Sequence, residues 1–505
     1  MHRIHTPGGS LPLYRVTSTR AIEQQALAGV APHALMQRAG SAVARLALAL
    51  APHARRVWVA AGPGNNGGDG IVAAMQLCAA GKDVIVTLLG DPQRLPDDAK
   101  DAWTRAQTAG VRFEPEAAPE LRAGDLAIDA LLGIGASRAP DAAMSALIDA
   151  LNALPCEVLA VDVPSGLNVD TGQPFGKHAV IADHTLALLT LKPGLFTGAG
   201  RDHAGAVWLD DLQVDASDAA ADAWLVGALD AALPERRHAQ HKGSFGDVAV
   251  IGGAPSMTGA ALLAARAALG AGAGRVYVNL LDAAAPALDP LRAELMFRAD
   301  WWKSDDATLG RATVVCGCGG GSALRAVLPR LLGSAGRLVL DADALNTIAA
   351  DTQLQAQLTS RAARQRFTVL TPHPLEAARL LGETAAQVQA DRLASAQSLA
   401  ERFACVVVLK GSGSVIAAPG LQPRINPTGS AALATAGTGD VLAGWLGGLW
   451  AQQASVSNED AMRVTCSAVH AHGAAADRSG MRLILAADLV AALALTPTLS
   501  QGERG

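Results

Sequence analysis

At 505 residues the chain is about three times a typical single-domain length, which sets two compact domains as the expectation. Of its residues 50% are hydrophobic and 17% charged, and 52 Gly and 25 Pro occur without a strict period, so collagen-like and highly charged disordered classes are excluded. Lys plus Arg number 41 against 46 Asp plus Glu, a formal charge of -5, and no basic tract is long enough to follow a phosphate backbone, which argues against nucleic acid as a partner.

The N-terminal MHRIHTPGGSLPLYRV lacks the apolar stretch of a signal peptide. The longer Ala/Leu-rich segments carry Arg38, Arg45, Arg266 and Arg275, which a membrane span would avoid, so a cytoplasmic protein without a membrane partner is expected. Ile22, Ala26, Leu35 and Met36, at roughly helical spacing, predict one or two packing helices ahead of the first strand. From Arg56 onward short β-branched runs alternate with Ala/Leu helical patterns, the signature of parallel strands joined by crossover helices. Strands are predicted over Val57–Ala60, Val84–Leu89, Leu126–Asp129, Val158–Asp162 and Thr185–Leu189. The rhythm lapses over residues 211–240 into an Asp/Ala-rich stretch ending in Pro234–His238, read as a linker, which divides the chain into domains of residues 1–225 and 226–505. A second series follows at Val248–Gly253, Val276–Leu280, Thr313–Gly317, Leu338–Asp341, Val369–Thr371 and Cys405–Lys410, and Thr496–Gly505 reads as a frayed polar tail. The fold class is therefore α/β, with two domains in tandem. The six cysteines never form a CxxC pair, which argues against a disulfide framework and a zinc site; Cys316 and Cys318 read as packing thiols.

After the first strand comes Gly62-Pro63-Gly64-Asn65-Asn66-Gly67-Gly68-Asp69-Gly70, followed by the helical Ile71–Met75. Glycines let backbone N–H groups approach a phosphate at a helix N-terminus, while the oxygens of Asn66 and Asp69 suit a hard cation or a polar ligand. Two more strand ends carry carboxylates, Asp129 before Ala130–Gly135 and Asp162 before Val163–Leu167. Ligands gather at the carboxyl ends of strands in open parallel sheets, so these loops should meet at one crevice. There Asp162 can accept a proton, Ser165 and Asp129 can complete a cation site, and Lys192 can balance charge. Together Leu35–Gly40, the GNNGGDG loop, DALLGIG, VDVPSGL and LKPG resemble the NAD(P)H-hydrate epimerase family, whose domain is also called the YjeF N-terminal domain, over residues 14–215. The resemblance implies a Rossmann-like fold and binding of hydrated NAD(P)H across Asn65, Asn66, Gly67, Gly68 and Asp69 and across Gly133, Ile134, Gly135, Ala136, Ser137, Arg138 and Ala139. It also implies Asp162 as the base that contacts the reacting ring, Lys192 as its partner, and a potassium ion near Asn66, Asp129 and Ser165. Gln37 stands where the family often has Glu.

In the second half Ala434-Thr435-Ala436-Gly437-Thr438-Gly439-Asp440 opens an apolar helix through Trp450. Successive N–H groups of Gly437, Thr438 and Gly439 can form an anion hole for a phosphoryl group, and Asp440 can accept a proton from an attacking hydroxyl. With Lys242–Gly246, Gly252-Gly253, Met257–Ala260, Gly317–Gly321, Leu340–Leu345, Thr371–Glu376 and Lys410–Ser414, again loops at strand ends, this set resembles the ADP-dependent NAD(P)H-hydrate dehydratase family, which has a ribokinase-like fold, over residues 235–495. That resemblance implies that the hydrated cofactor contacts Ala260, Gly319, His373 and Asp440. ADP would lie along Lys410, Gly411, Ser412, Gly413 and Ser414 and along Ser430, Ala431, Ala432, Leu433, Ala434, Thr435, Ala436, Gly437, Thr438 and Gly439, accompanied by magnesium. The family's GPGLG stands here as Gly317-Cys318-Gly319-Gly320-Gly321, with Leu375, Ser430 and Ala432 as further departures. His470 and His472, two apart on a helical pattern, make a poor metal pair and read as core or surface histidines.

Two other readings compete with a bifunctional enzyme that epimerises R and S hydrates and dehydrates the S form with ADP. One is a small-molecule kinase of the ribokinase-like class for a vitamin or sugar; the other makes the first half a binding scaffold. The epimerase-like half argues against a kinase, and Asn66, Asp69, Asp129, Asp162 and Lys192 argue against a scaffold. The Ala-rich helices permit close subunit packing, and the resemblance implies a homo-oligomer.

Overall fold

The computed structural model describes residues 1–4, 8–114, 119–230, 236–453 and 457–494. These fall into two compact units, one built from Pro12–Ala223 and the other from Trp224 onward, with the extreme N-terminal residues divided between them. Part of the expected linker, 231–235, and the expected tail from Thr496 lie outside the described residues.

In the first unit the helices Val16–Leu27 and Ala34–Leu50 precede an eight-stranded sheet. Its order is His2–Arg3, Ala206–Asp210, His184–Leu188, Glu157–Val161, Leu126–Ala130, Arg56–Ala61, Asp83–Leu88 and Arg112–Phe113. Every pairing is parallel except the first. Val57 to Ala61 are each no more than 1% exposed, as a strand covered on both faces requires. The chain starts the parallel series in the middle of the sheet, runs outward through Asp83–Leu88, then crosses back to Leu126–Ala130. The switch point between Arg56–Ala61 and Leu126–Ala130 is where an α/β sheet opens a crevice.

The second unit repeats this plan. Its strands run Met296–Phe297, Arg275–Leu280, Asp247–Gly252, Thr313–Cys316, Arg337–Leu340, Phe367–Leu370, Val406–Leu409, Val415–Ala417 and Arg424–Ile425. The series is parallel as far as Val406–Leu409 and antiparallel over the last two pairings. Here the switch point lies between Asp247–Gly252 and Thr313–Cys316. Within the stretch expected to be linker, Trp224 and Leu225 instead pair in parallel with Arg424 and Ile425. Ala223 and Leu225 are buried there, a run too short and too polar in its flanks to stand out by periodicity.

Candidate active sites

In the first unit the GNNGGDG segment is helical from its first asparagine: the helix spans Asn65–Ala79, where the sequence suggested a loop up to Ile71. Its glycines serve close packing. A Cβ on Gly67 would lie 2.0 Å from the Gly62 carbonyl oxygen, one on Gly68 2.5 Å from the Met36 methyl, and one on Gly70 2.5 Å from the Ala130 Cβ. The helix thus lies against the strand it follows, with its N-terminus at the switch point. Beside it opens a cavity of about 530 Å³ lined by Asn65, Asn66, Asp69, Gly133, Ile134, Gly135, Ala136, Asp162 and Lys192. Gly67 and Gly68 are buried behind that wall, and Ser137, Arg138 and Ala139 are exposed and outside the lining.

Asp162 follows directly on the strand Glu157–Val161 and has φ 66°, a left-handed conformation that an aspartate tolerates better than most residues. Lys192, 0% exposed, donates from Nζ to Asp162 Oδ1 at 2.5 Å and to the Leu188 carbonyl at 2.7 Å. Backbone N–H groups of Ile134 and Leu188 also donate to the Asp162 carboxylate, each at 3.3 Å. The cavity also takes Thr19, Arg20 and Glu23 from the first helix, Met36 from the second and Asp98 from the helix Asp97–Thr108. Sequence reasoning missed Thr19, Arg20, Glu23 and Asp98, whereas Met36 lies in the Leu35–Gly40 segment that carries the family resemblance. Burial and the negative charges of Asp162, Glu23 and Asp98 push the Asp69 carboxyl well above the usual carboxylate range. Burial and Asp162 likewise raise Glu23, against the opposing pull of Lys192 and Arg20.

Asp129, 0% exposed, accepts from Ser165 Oγ at 2.6 Å, Ser165 N at 2.8 Å and Leu131 N at 3.2 Å. Burial pushes its carboxyl up to about 6 even though these bonds favour the charged form. Its donors are all neutral. The Asn66 amide nitrogen is buried without a partner, and a Cβ on Gly133 would lie 3.1 Å from the Asn66 amide oxygen. Buried oxygens around a carboxylate held only by neutral donors fit a hard monovalent cation.

The second unit gathers its polar residues at the corresponding switch point. A Cβ on Gly252 would lie 2.2 Å from the Cys318 carbonyl oxygen, so the two strand-end loops touch. Gly319, at φ 58°, abuts Met257 and Ala260. The helix Thr438–Ala451 begins after Gly437, whose φ of 91° suits glycine, leaving its first N–H groups available to an anion. His472 Nε2 donates to the Thr438 carbonyl at 2.9 Å; burial lowers this imidazole to about 4 and keeps it neutral. The Thr438 hydroxyl donates to the carbonyls of Leu433 and Thr435, at 2.9 and 3.0 Å, and so fixes the loop before the helix.

Cys318 Sγ and the carboxylates of Asp341 and Asp440 lie within 4.8 Å of one another. Lys410 donates to Asp341 at 2.7 Å, and a Cβ on Gly439 would lie 3.3 Å from Lys410 Nζ. His373 caps the helix Pro374–Leu381, and its Nε2 lies 3.1 Å from Glu376, a carboxylate that also faces Lys410. Burial and Asp341 push Asp440 up to about 6, against the neighbouring Cys318 thiol and the charge of Lys410. Cys318 packs in the hydrophobic core as expected, with its sulfur also within 4.8 Å of the Asp341 and Asp440 carboxylates. Of the residues expected at ADP, Lys410 is largely enclosed, whereas Gly411, Ser412, Ser430, Ala431, Ala434 and Ala436 form an exposed rim and Gly413 and Ala432 are buried. Ser414 donates to the Gly411 carbonyl, Ala432 accepts from Ile484 N, and Thr435 donates to the Ile484 carbonyl. Asp341 Oδ1 accepts from Lys410, and the carboxylates of Asp341 and Asp440, with Cys318 Sγ, form a group close enough together to hold a metal ion.

Two family models match this chain, one in each unit. Residues 32–194 match the YjeF-related protein N-terminus, and residues 248–494 match NAD(P)H-hydrate dehydratase. The chain belongs to the bifunctional NAD(P)H-hydrate repair enzyme family. It is 37% identical to the bifunctional NAD(P)H-hydrate repair enzyme Nnr of Escherichia coli over 92% of this chain and 89% of that protein. The enzyme of the same description from Coxiella burnetii is 36% identical over 94% of this chain and 97% of its own length. Among solved structures, the ADP/ATP-dependent NAD(P)H-hydrate dehydratase of Bacillus subtilis, co-crystallised with ATP/Mg2+, is similar over 52% of this chain and 93% of that one, at 30% identity and a TM-score of 0.43. No described helix is long and apolar enough to cross a membrane.

Proposed function

We propose that the first unit interconverts the R and S epimers of hydrated NADH and NADPH at the Asp162–Lys192 pair, and that the second dehydrates the S epimer with ADP at Asp440, giving AMP and phosphate. The observation that carries the first half is the enclosed Lys192–Asp162 ion pair at the wall of the cavity. Lys192 and two backbone N–H groups orient the carboxylate, so that a ring lying against Gly133–Ala136 presents its hydrated carbon to it. Potassium would be held by Asn66, Asp129 and Ser165 and would supply positive charge beside a carboxylate that has only neutral donors.

In the second half Asp440 takes the proton of the substrate hydroxyl as that oxygen attacks the terminal phosphorus of ADP, and AMP departs. The new phosphate ester leaves as phosphate with loss of a ring proton, which restores the dihydropyridine. The N-terminus of the Asp440 helix and Lys410 face the charge that builds on the transferred group. Magnesium would arrive with the diphosphate, whose oxygens are its natural hard ligands. The protein works in the cytoplasm, and exposed Leu288 and Leu291, at 60% and 65%, support assembly of several copies.

The test is product analysis with Asp440→Asn as control. Wild-type protein supplied with ADP and the S hydrate should release AMP and phosphate in step with recovered dihydronicotinamide absorbance. Asp440→Asn should still bind ADP while losing at least roughly a hundredfold in rate. Formation of a stable phosphorylated small molecule in place of free phosphate would favour the kinase reading.

A further inference from the structure

We propose that Arg20 is a substrate-binding residue of the first unit: its guanidinium takes the diphosphate of the hydrated dinucleotide at the rim of the cavity. The inference rests on the reading of that cavity as the epimerase site and names the group that holds the substrate's charge there. The cavity lining includes the carboxylates of Glu23, Asp69, Asp98 and Asp162, and its cations are Arg20 and Lys192. Lys192 is enclosed and held on Asp162 at 2.5 Å, so its charge is answered inside the protein. Among the described residues Arg20 makes no hydrogen bond or ion pair, even with Glu23 one turn further along the helix Val16–Leu27. A diphosphate brought against a wall of carboxylates is repelled unless a cation meets it. Arg20 is the lining cation left to do so, and a guanidinium offers paired N–H donors that match phosphate oxygens.

Depth gives the same assignment. Asp162 and Lys192 are 7% and 0% exposed and lie deep in the cavity, whereas Arg20 and Gly135 are exposed. A Cβ on Gly135 would lie 3.8 Å from Arg20 Nη2, so the guanidinium reaches from its helix to the loop that follows the strand Leu126–Ala130. A dinucleotide that enters ring first, with its hydrated carbon at Asp162, leaves its diphosphate at this rim.

The test is epimer exchange without ADP, which leaves the second unit idle, measured for wild type, Arg20→Gln and Arg20→Lys on the hydrates of NADH and NADPH at low and high salt. Arg20→Gln should raise KM roughly tenfold for both hydrates and leave kcat within about twofold, the pattern of one charge-assisted contact made equally to substrate and transition state. The rise of KM with salt in wild type should flatten in Arg20→Gln and persist in Arg20→Lys, which keeps the charge. ADP-ribose, which carries the diphosphate without the ring, should inhibit exchange competitively, with an inhibition constant that rises in Arg20→Gln by the same factor as KM. An unchanged KM in Arg20→Gln overturns the proposal, as does an effect confined to the NADPH hydrate, which would place the 2′-phosphate at Arg20 instead. If wild type exchanges no epimers, the epimerase reading falls, and calorimetry of ADP-ribose with the second site filled by ADP still decides about Arg20. Affinity weakened in Arg20→Gln supports the contact; equal affinity, or no binding to wild type, overturns it.

Discussion

Asp162 and Asp440, the two proposed bases, are carboxylates in different surroundings. Asp162 sits in a left-handed backbone conformation that asparagine shares with aspartate, so Asp162→Asn changes the chemistry with little backbone cost. Epimer exchange should fall by roughly a hundredfold or more in that variant, with dehydration of the S hydrate unchanged, as read by separate assays on each epimer. Asp440 must be ionised to accept a proton, and its folded value is about 6. The kcat/KM for dehydration should therefore drop as pH falls through about 6 and level off above it; a flat profile down to pH 5 would contradict the assignment. Because this value is raised, protonation relieves a buried charge, and the group itself adds stability as pH falls from about 6. His472 has the opposite sign: lowered from 6.5 to about 4, it costs stability as pH falls across that window. Both aspartates were legible in the sequence because each ends a strand or opens a helix within a glycine-rich pattern. Glu23 was not. An acid on a helix with no local motif looks like an ordinary surface residue until the fold brings it to the cavity beside Asp162.

At the scale of elements, the helix Thr438–Ala451 carries Asp440 and is set by glycine contacts with the helix Thr258–Gly270. A Cβ on Gly444 would lie 1.9 Å from the Ala264 carbonyl oxygen, and one on Gly448 2.5 Å from that of Ala268. Backbone cannot yield as a flexible side chain can. Gly444→Ala should therefore destabilise the second unit by about 1–3 kcal/mol and lower dehydration without affecting epimer exchange, as thermal unfolding and the two assays would show. The periodicity gave this helix and the strands it named to within two residues, since buried apolar runs announce themselves, but it missed the parallel strands Arg112–Phe113, Ala206–Asp210 and Met296–Phe297. It did not give the helical start at Asn65 or the pairing of Trp224 and Leu225. Glycines at close helix packing resemble glycines in a loop, and a two-residue pairing has no period to read.

For the whole molecule, two sheets with the same switch-point logic lie on one chain, and the proposed function assigns proton transfer to the first and phosphoryl transfer to the second. Their order was legible because each set of strand-end loops is contiguous in its own half. The value of joining them is chemical, since a dehydratase confined to one epimer leaves the other behind. The most direct test supplies purified protein with ADP, magnesium and potassium, gives it the separated R and S hydrates, and follows recovery of dihydronicotinamide absorbance. Both epimers should be repaired by wild type, and only the S epimer at an undiminished rate by Asp162→Asn. Failure of the wild-type protein to regenerate coenzyme from either epimer would contradict the account.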